Sequence, residues 1–147
     1  MGRYVLRRHI AAPPERVFQA FVDPALAVDW MDLAAIRNAT GPLDTPGTRF
    51  KMDVRGRWGF QNEILRSEPP TLHEQQGRGP LGAWFRHTAN LTASAGGTDL
   101  ELETEYALPL GPIGRLLDRL FLEGGSRTVA NRELDRLVAI VSGGARS

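Results

Sequence analysis

The order of two periodicities restricts the folds open to this chain more than any other feature. From about residue 37, glycine and proline recur at Gly41-Pro42, Pro46-Gly47, Gly56, Pro69-Pro70, Gly77 to Pro80 and Gly96-Gly97, intervals suited to short strands joined by tight turns. Between these marks the residues alternate. TRFKMDVR sets Phe50, Met52 and Val54 against Arg49, Lys51, Asp53 and Arg55, and DLELETEYAL sets Leu100, Leu102, Thr104, Tyr106 and Leu108 against Glu101, Glu103 and Glu105. Each such strand has one wet face, so an antiparallel meander is the natural arrangement.

The two ends depart from this alternation. RYVLRRHI, residues 3 to 10, reads as a first strand, with Tyr4, Leu6 and Arg8 on one side. In AAPPERVFQAFVDPALAVDW the period changes to three and four through Val17, Phe18, Phe21 and Val22; Pro14 suits a first helical turn, and Asp23-Pro24 ends one short helix and starts another. The last segment returns to helical spacing through Ile113, Leu117, Leu120, Gly124, Thr128, Asn131, Leu134, Val138 and Val141. One strand, two short helices, about six strands and a long final helix predict an α+β helix-grip fold: a curved antiparallel sheet of about seven strands wrapped around the C-terminal helix. A strongly bent sheet cannot touch a straight helix everywhere, so a cavity is expected between them. A single domain over residues 1–142 is expected, with a frayed tail at 143–147.

Composition narrows the function classes. At 147 residues, with 41% hydrophobic and 24% charged side chains, the chain reads as one ordinary globular domain. Eighteen Lys and Arg against 17 Asp and Glu leave a net charge of +1, which gives no field to draw in nucleic acid. Cysteine is absent, which removes disulfides, thiolate metal sites and a thiol nucleophile. No stretch has the length of a membrane span or the pattern of an export signal, so a cytoplasmic protein without stable membrane insertion is expected.

The segments IAAPPERVFQAFVDPALAVDW, PGTRF, ILRSEPPTL, GRGPLG, GGTDLELETEYALP and GPIGRLLDRLFLEGGSRTVANRELDRL resemble, in order and spacing, the START-like (SRPBCC, helix-grip) superfamily, and most closely its polyketide cyclase/dehydrase and lipid-transport branch. These segments shape a fold and carry no catalytic signature. The resemblance implies an internal cavity for a small hydrophobic ligand. It leaves carriers, receptors and enzymes open, since one scaffold serves them all.

Pleating nominates candidate site residues. With Leu91 and Leu100 inward, Phe85, His87 and Ala89 turn inward and Trp84 and Arg86 outward; Trp58, Phe60, Asn62 and Ile64 share one face, and Leu72, Glu74 and Gln76 another. Asn62, Glu74, Gln76 and His87 would then meet an apolar hollow. A carboxyl in such a place is a weaker acid, and with an imidazole nearby it has the equipment for dehydration or enolisation, which makes Glu74 and His87 the catalytic candidates. The competing reading leaves both on the rim or wet face, hydrogen-bonded and inert. His9 and His73 count as outward. The ligand-lining set is Trp30, Phe50, Met52, Trp58, Phe60, Asn62, Gln76, Phe85 and Tyr106, with Leu120, Gly124 and Thr128 from the helix.

The remaining motifs exclude more than they assign. Histidines at 9, 73 and 87 lack metal-site spacing, no Gly-x-Ser-x-Gly surrounds Ser126, and the glycine-rich stretches at 77–82 and 111–114 do not match a phosphate loop, so neither metal nor cofactor is expected. Gly124-Gly125 costs roughly 2 kcal/mol of helix propensity against alanine. It leaves room for ligand, or marks a kink or close packing on Trp58 or Phe60. Leu116, Phe121 and Leu122 exceed the buried stripe and could support a homodimer; otherwise the protein is a monomer. The leading expectation is binding of a lipid-, aromatic- or polyketide-like ligand. The alternatives are a cyclase or dehydratase using Glu74 and His87, and a protein-interaction domain of co-chaperone type.

Overall fold

Strand β1 (Gly2–Ile10) buries Tyr4, Leu6 and Ile10 and exposes Arg3, Arg7 and His9, as its alternation requires. The computed structural model describes residues 2–31, 33–54, 59–79, 82–107 and 123–143. After β1 the chain turns into α1 (Pro14–Val22), which opens on a proline whose missing N–H costs nothing in the first turn. Asp23 takes an extended backbone ahead of Pro24, ends α1, and caps α2 (Pro24–Trp30) by accepting from the Ala25 N–H at 3.0 Å. Val17, Phe18, Ala20 and Phe21 form the buried face of α1. The Trp30 indole donates to the Ala20 carbonyl at 2.6 Å and locks the two helices together.

Six further strands follow: β2 (Leu33–Arg37), β3 (Arg49–Val54), β4 (Gly59–Glu68), β5 (Leu72–Arg78), β6 (Trp84–Ser94) and β7 (Gly97–Ala107). They form one curved antiparallel sheet in the order β1-β7-β6-β5-β4-β3-β2. Every neighbouring pair but one is consecutive in the chain. The exception is β1, which pairs with β7 from Gly2↔Tyr106 to Ile10↔Thr98 while α1 and α2 carry the chain to the opposite edge. The final helix α3 (Glu123–Gly143) packs on β1, α1 and α2. The fold is therefore the expected α+β helix grip.

Burial on α3 follows Ala130, Leu134, Leu137 and Val141, intervals of four, three and four. Thr128, expected to face a ligand, is exposed instead. The expected stripe ran through Thr128 and Asn131 and passed over Ala130, whose small side chain gives little periodic signal. Leu120, Trp58 and the candidate dimer residues Leu116, Phe121 and Leu122 lie outside the described residues, as do the tail residues 144–147, and nothing is described at Gly124 beyond its helical backbone.

Two apolar clusters fill the hollow side of the sheet. The larger joins β1, β6, β7, α1 and α3; the smaller holds Leu33, Leu43, Phe50, Met52 and Ile64 beneath β2, β3 and β4. The outer side is laced with ion pairs between neighbouring strands: Arg3–Glu103 at 2.8 Å, Arg7–Glu101 at 3.1 Å, Arg86–Glu105 at 2.8 Å and Arg66–Glu74 at 3.1 Å. The glutamate stripe of β7 is thus a solvated, paired face.

Candidate functional site

Strand β5 decides what the hollow contains. Its only aliphatic residue, Leu72, lies on the convex face with Glu74 and Gln76, while His73, Gln75 and Gly77 point inward. Sequence alternation, anchored on Leu72, gives the opposite phase. Register with β6 explains the true one, because Gly77 faces Phe85 and has no side chain to obstruct its ring. A Cβ there would overlap the ring and approach the Asn62 Oδ1 at 2.9 Å.

A small, partly open cavity lies between the centre of the sheet, α1, α2 and α3. The volume open to the centre of a water molecule is about 30 Å³, room for one or two waters. Phe21, Trp30, Met31, Ala89, Leu102 and Ala130 make its walls mainly apolar. Across its floor runs a row of polar side chains at paired positions of four strands: Gln75 faces His87, His87 faces Thr104, and Thr104 faces Tyr4. His73 lies one pleat along from Gln75, and Glu133 reaches the space from α3.

The two imidazoles are held differently. His87 Nδ1 is 2.8 Å from Thr104 Oγ1, and its other ring nitrogen has no partner among the described residues. His73 is 2% exposed, with Nε2 3.1 Å from Gln75 Oε1, and Phe18 and Phe21 flank its ring; its Nδ1 is buried without a partner. Burial lowers both from the ordinary imidazole value. For His87, burial of the ring and then the nearby His73 push it down to about 4, although the residue as a whole keeps some exposure. For His73 burial outweighs the support of its Gln75 hydrogen bond. Both rings are neutral at pH 7.

Glu74 is not part of this arrangement. It accepts from Arg66 Nε and Nη2 at 3.1 Å each and from Thr88 Oγ1 at 2.8 Å on the convex face. Partial burial by itself raises its carboxyl, but the hydrogen bonds from Arg66 and Thr88 and the arginine charges win and hold it below the usual range. The proposed acid–base pair is therefore divided: Glu74 and His87 lie on opposite faces of the sheet. Gln76 is likewise convex, beside Arg78, Trp84 and Arg86.

The other expected residues separate by position. Trp30 and His87 line the cavity. Phe50 and Met52 are concave but packed into the smaller cluster, and Tyr106 is buried with its ring 6.2 Å from that of Tyr4. Phe60 and Phe85 form a half-buried pair 5.3 Å apart, and the Phe85 ring lies 4.6 Å from the His87 ring. Asn62 is concave and buried, donates to the Phe60 carbonyl at 3.1 Å, and leaves its Oδ1 without a partner. His73, Gln75 and Glu133 escaped sequence reasoning. The signal for the first two was Gly77 opposite Phe85, which requires the register between β5 and β6.

Among the described residues, no cluster of His, Asp and Glu is placed to hold a metal ion, and no helix is long and apolar enough to cross a membrane. What remains is a helix-grip domain with a small, mostly apolar cavity and a polar floor. The chain belongs to the polyketide cyclase / dehydrase and lipid transport family, whose model matches residues 1–142. No functionally curated protein matches it. Solved structures share the fold across nearly their whole length. MLL2253 from Mesorhizobium loti is 21% identical, with TM-score 0.75, over 95% of this chain and 96% of that one. SA2116 from Staphylococcus aureus, a protein of unknown function, is 9% identical, with TM-score 0.79, over 99% and 96%. Ara h 8.0201 is 15% identical, with TM-score 0.68, over 95% and 97%.

Proposed function

We propose that this protein binds and carries a small, mainly apolar molecule in the cavity between the concave face of the sheet and α3. The observation behind this reading is the cavity itself, walled by Phe21, Trp30, Met31 and Leu102 at the centre of a domain whose family is described by polyketide chemistry and lipid transport. Apolar surface withdrawn from water supplies the affinity, about 25 cal/mol per Å² buried, and the polar floor supplies orientation. Because the space has room for only a water or two, a ring-sized ligand must displace side chains as it enters.

Carriage is favoured over cyclisation or dehydration for a stated reason. Proton transfer at neutral pH needs a group poised near the working pH. His87, pushed down to about 4, is a weak base there, and Glu74 is tied to Arg66 on the other face. Native mass spectrometry of protein purified from its own host, set against the denatured mass, tests the reading. A retained apolar compound supports carriage. An empty protein that also binds no apolar probe ends it and turns attention to the outer surface, where a protein-interaction role would lie.

A further inference from the structure

Resting on the carrier reading, the polar floor of the cavity indicates which head group the cargo carries. Three side chains of the floor bear on the choice. His73 Nδ1 is a buried ring nitrogen without a partner. With Nε2 directed to Gln75 Oε1, the proton belongs on Nε2 and the bare lone pair on Nδ1, so His73 offers an acceptor. On His87 the Thr104 hydroxyl occupies Nδ1 and the second ring nitrogen has no described partner; the hydroxyl rotates to suit, so this nitrogen can donate or accept. Gln75 already uses its amide, Oε1 toward His73 and Nε2 toward the Met52 sulfur at 3.8 Å.

A ligand hydroxyl matches this set, since one O–H both gives and receives a hydrogen bond. A carboxylate does not match it. It accepts only, it would lose its hydration in an apolar space, and the described lining supplies no cation to receive it. Arg8, the arginine on the inward side of β1, is turned to Asn131 at 2.7 Å and Asp135 at 3.4 Å on α3 and does not line the cavity. Arg3, Arg66 and Arg86 are paired on the outer face.

We propose that the cavity selects uncharged ligands bearing a hydroxyl group on a small apolar frame, phenols or alcohols, anchored at His87 and His73, and discriminates against their carboxylate counterparts. Isothermal titration calorimetry of the whole protein at pH 7 with p-cresol, p-toluate and toluene provides the test, because the three share a frame and differ in head group. The expected order is p-cresol tightest, with p-toluate and toluene each weaker by about tenfold or more, the scale of one well-made buried hydrogen bond. In His87→Leu the advantage of p-cresol over toluene shrinks while toluene binding persists.

Equal or tighter binding of p-toluate overturns the proposal. So does toluene binding as well as p-cresol, a result that leaves the carrier reading standing. Binding of none of the three removes the carrier reading and the proposal with it. Because the comparison among ligands uses the unaltered protein, it decides the matter even if His87→Leu fails to fold.

Discussion

His87 and Thr104 face each other across β6 and β7, with Nδ1 2.8 Å from Oγ1. The contact holds a neutral imidazole in a place that disfavours its charged form, and a pH dependence follows. Unfolded, the ring titrates near 6.5; folded, near 4. As pH falls below about 6.5 the unfolded chain takes up a proton that the folded protein refuses, so stability declines until about pH 4 and then levels off for this group. The full loss is about 3 kcal/mol from His87, with His73 shifted in the same direction. Urea midpoints across this range should fall with acidity in the natural protein and fall much less in His87→Gln. An unchanged acid slope in the variant would rule out His87 as the source.

Trp30 joins two roles, since its indole donates to the Ala20 carbonyl and its ring walls the cavity against Phe21 at 5.3 Å. Cargo entering the cavity should therefore change its emission. Trp30→Phe should abolish most of the fluorescence change on adding p-cresol and cost about 1–3 kcal/mol, because a buried carbonyl loses its partner. A full signal in Trp30→Phe would place the responding tryptophan elsewhere.

Two glycines separate side-chain crowding from backbone crowding. At Gly77 an added methyl meets the Phe85 ring, which can rotate or shift, so Gly77→Ala should cost about 1–3 kcal/mol and weaken p-cresol binding by pressing Phe85 toward His87. At Gly97 it meets the Ile10 carbonyl and comes within 3.1 Å of the Ala11 Cα, backbone that has nowhere to go. Gly97→Ala should be the more destabilising, by over about 3 kcal/mol. Thermal denaturation of the two variants side by side checks the order, and the reverse ranking would contradict this geometry.

Glu74→Gln tests the division between the faces of the sheet. The substitution weakens the paired hydrogen bonds from Arg66 yet leaves the cavity wall untouched, so p-cresol affinity should stay within about twofold of the natural protein. A tenfold loss would return Glu74 to the site.

How far the molecule could be read in advance depended on whether local pattern and long-range contact agreed. Strand β7 was legible because Glu101, Glu103 and Glu105 alternate with Leu100, Leu102, Thr104 and Tyr106. Its inward row of Leu100, Leu102, Thr104 and Tyr106 is buried as expected. Strand β5 was not, because TLHEQQGR places its one aliphatic side chain outside and its imidazole inside. Only the pairing of Gly77 with Phe85, a contact between strands, sets the phase. Helix α3 was legible at Leu134 and Val141, but small Ala130 carries no strong signal and Glu133, within NRELDRL, looks like any solvated charge. The candidate site suffered more than the fold. A strand turned by one residue exchanges everything that it offers the cavity, while the sheet around it stays the same.

The seating of β1 beside β7 also bears on synthesis. Arg3 meets Glu103, 100 positions later, whereas β2 to β7 pair with near neighbours. Within this sheet the strand synthesised first therefore waits longest for its partner, and until the chain has emerged beyond Ala107 it offers an unsatisfied edge to its surroundings. Hydrogen exchange pulsed during refolding should show amides of β4, β5 and β6 protected before those of β1. Simultaneous protection would mean that the two distant strands meet in the first collapse. Arg3 and Arg7 place like charges along that waiting strand, and like charges on identical nascent chains oppose their pairing with one another.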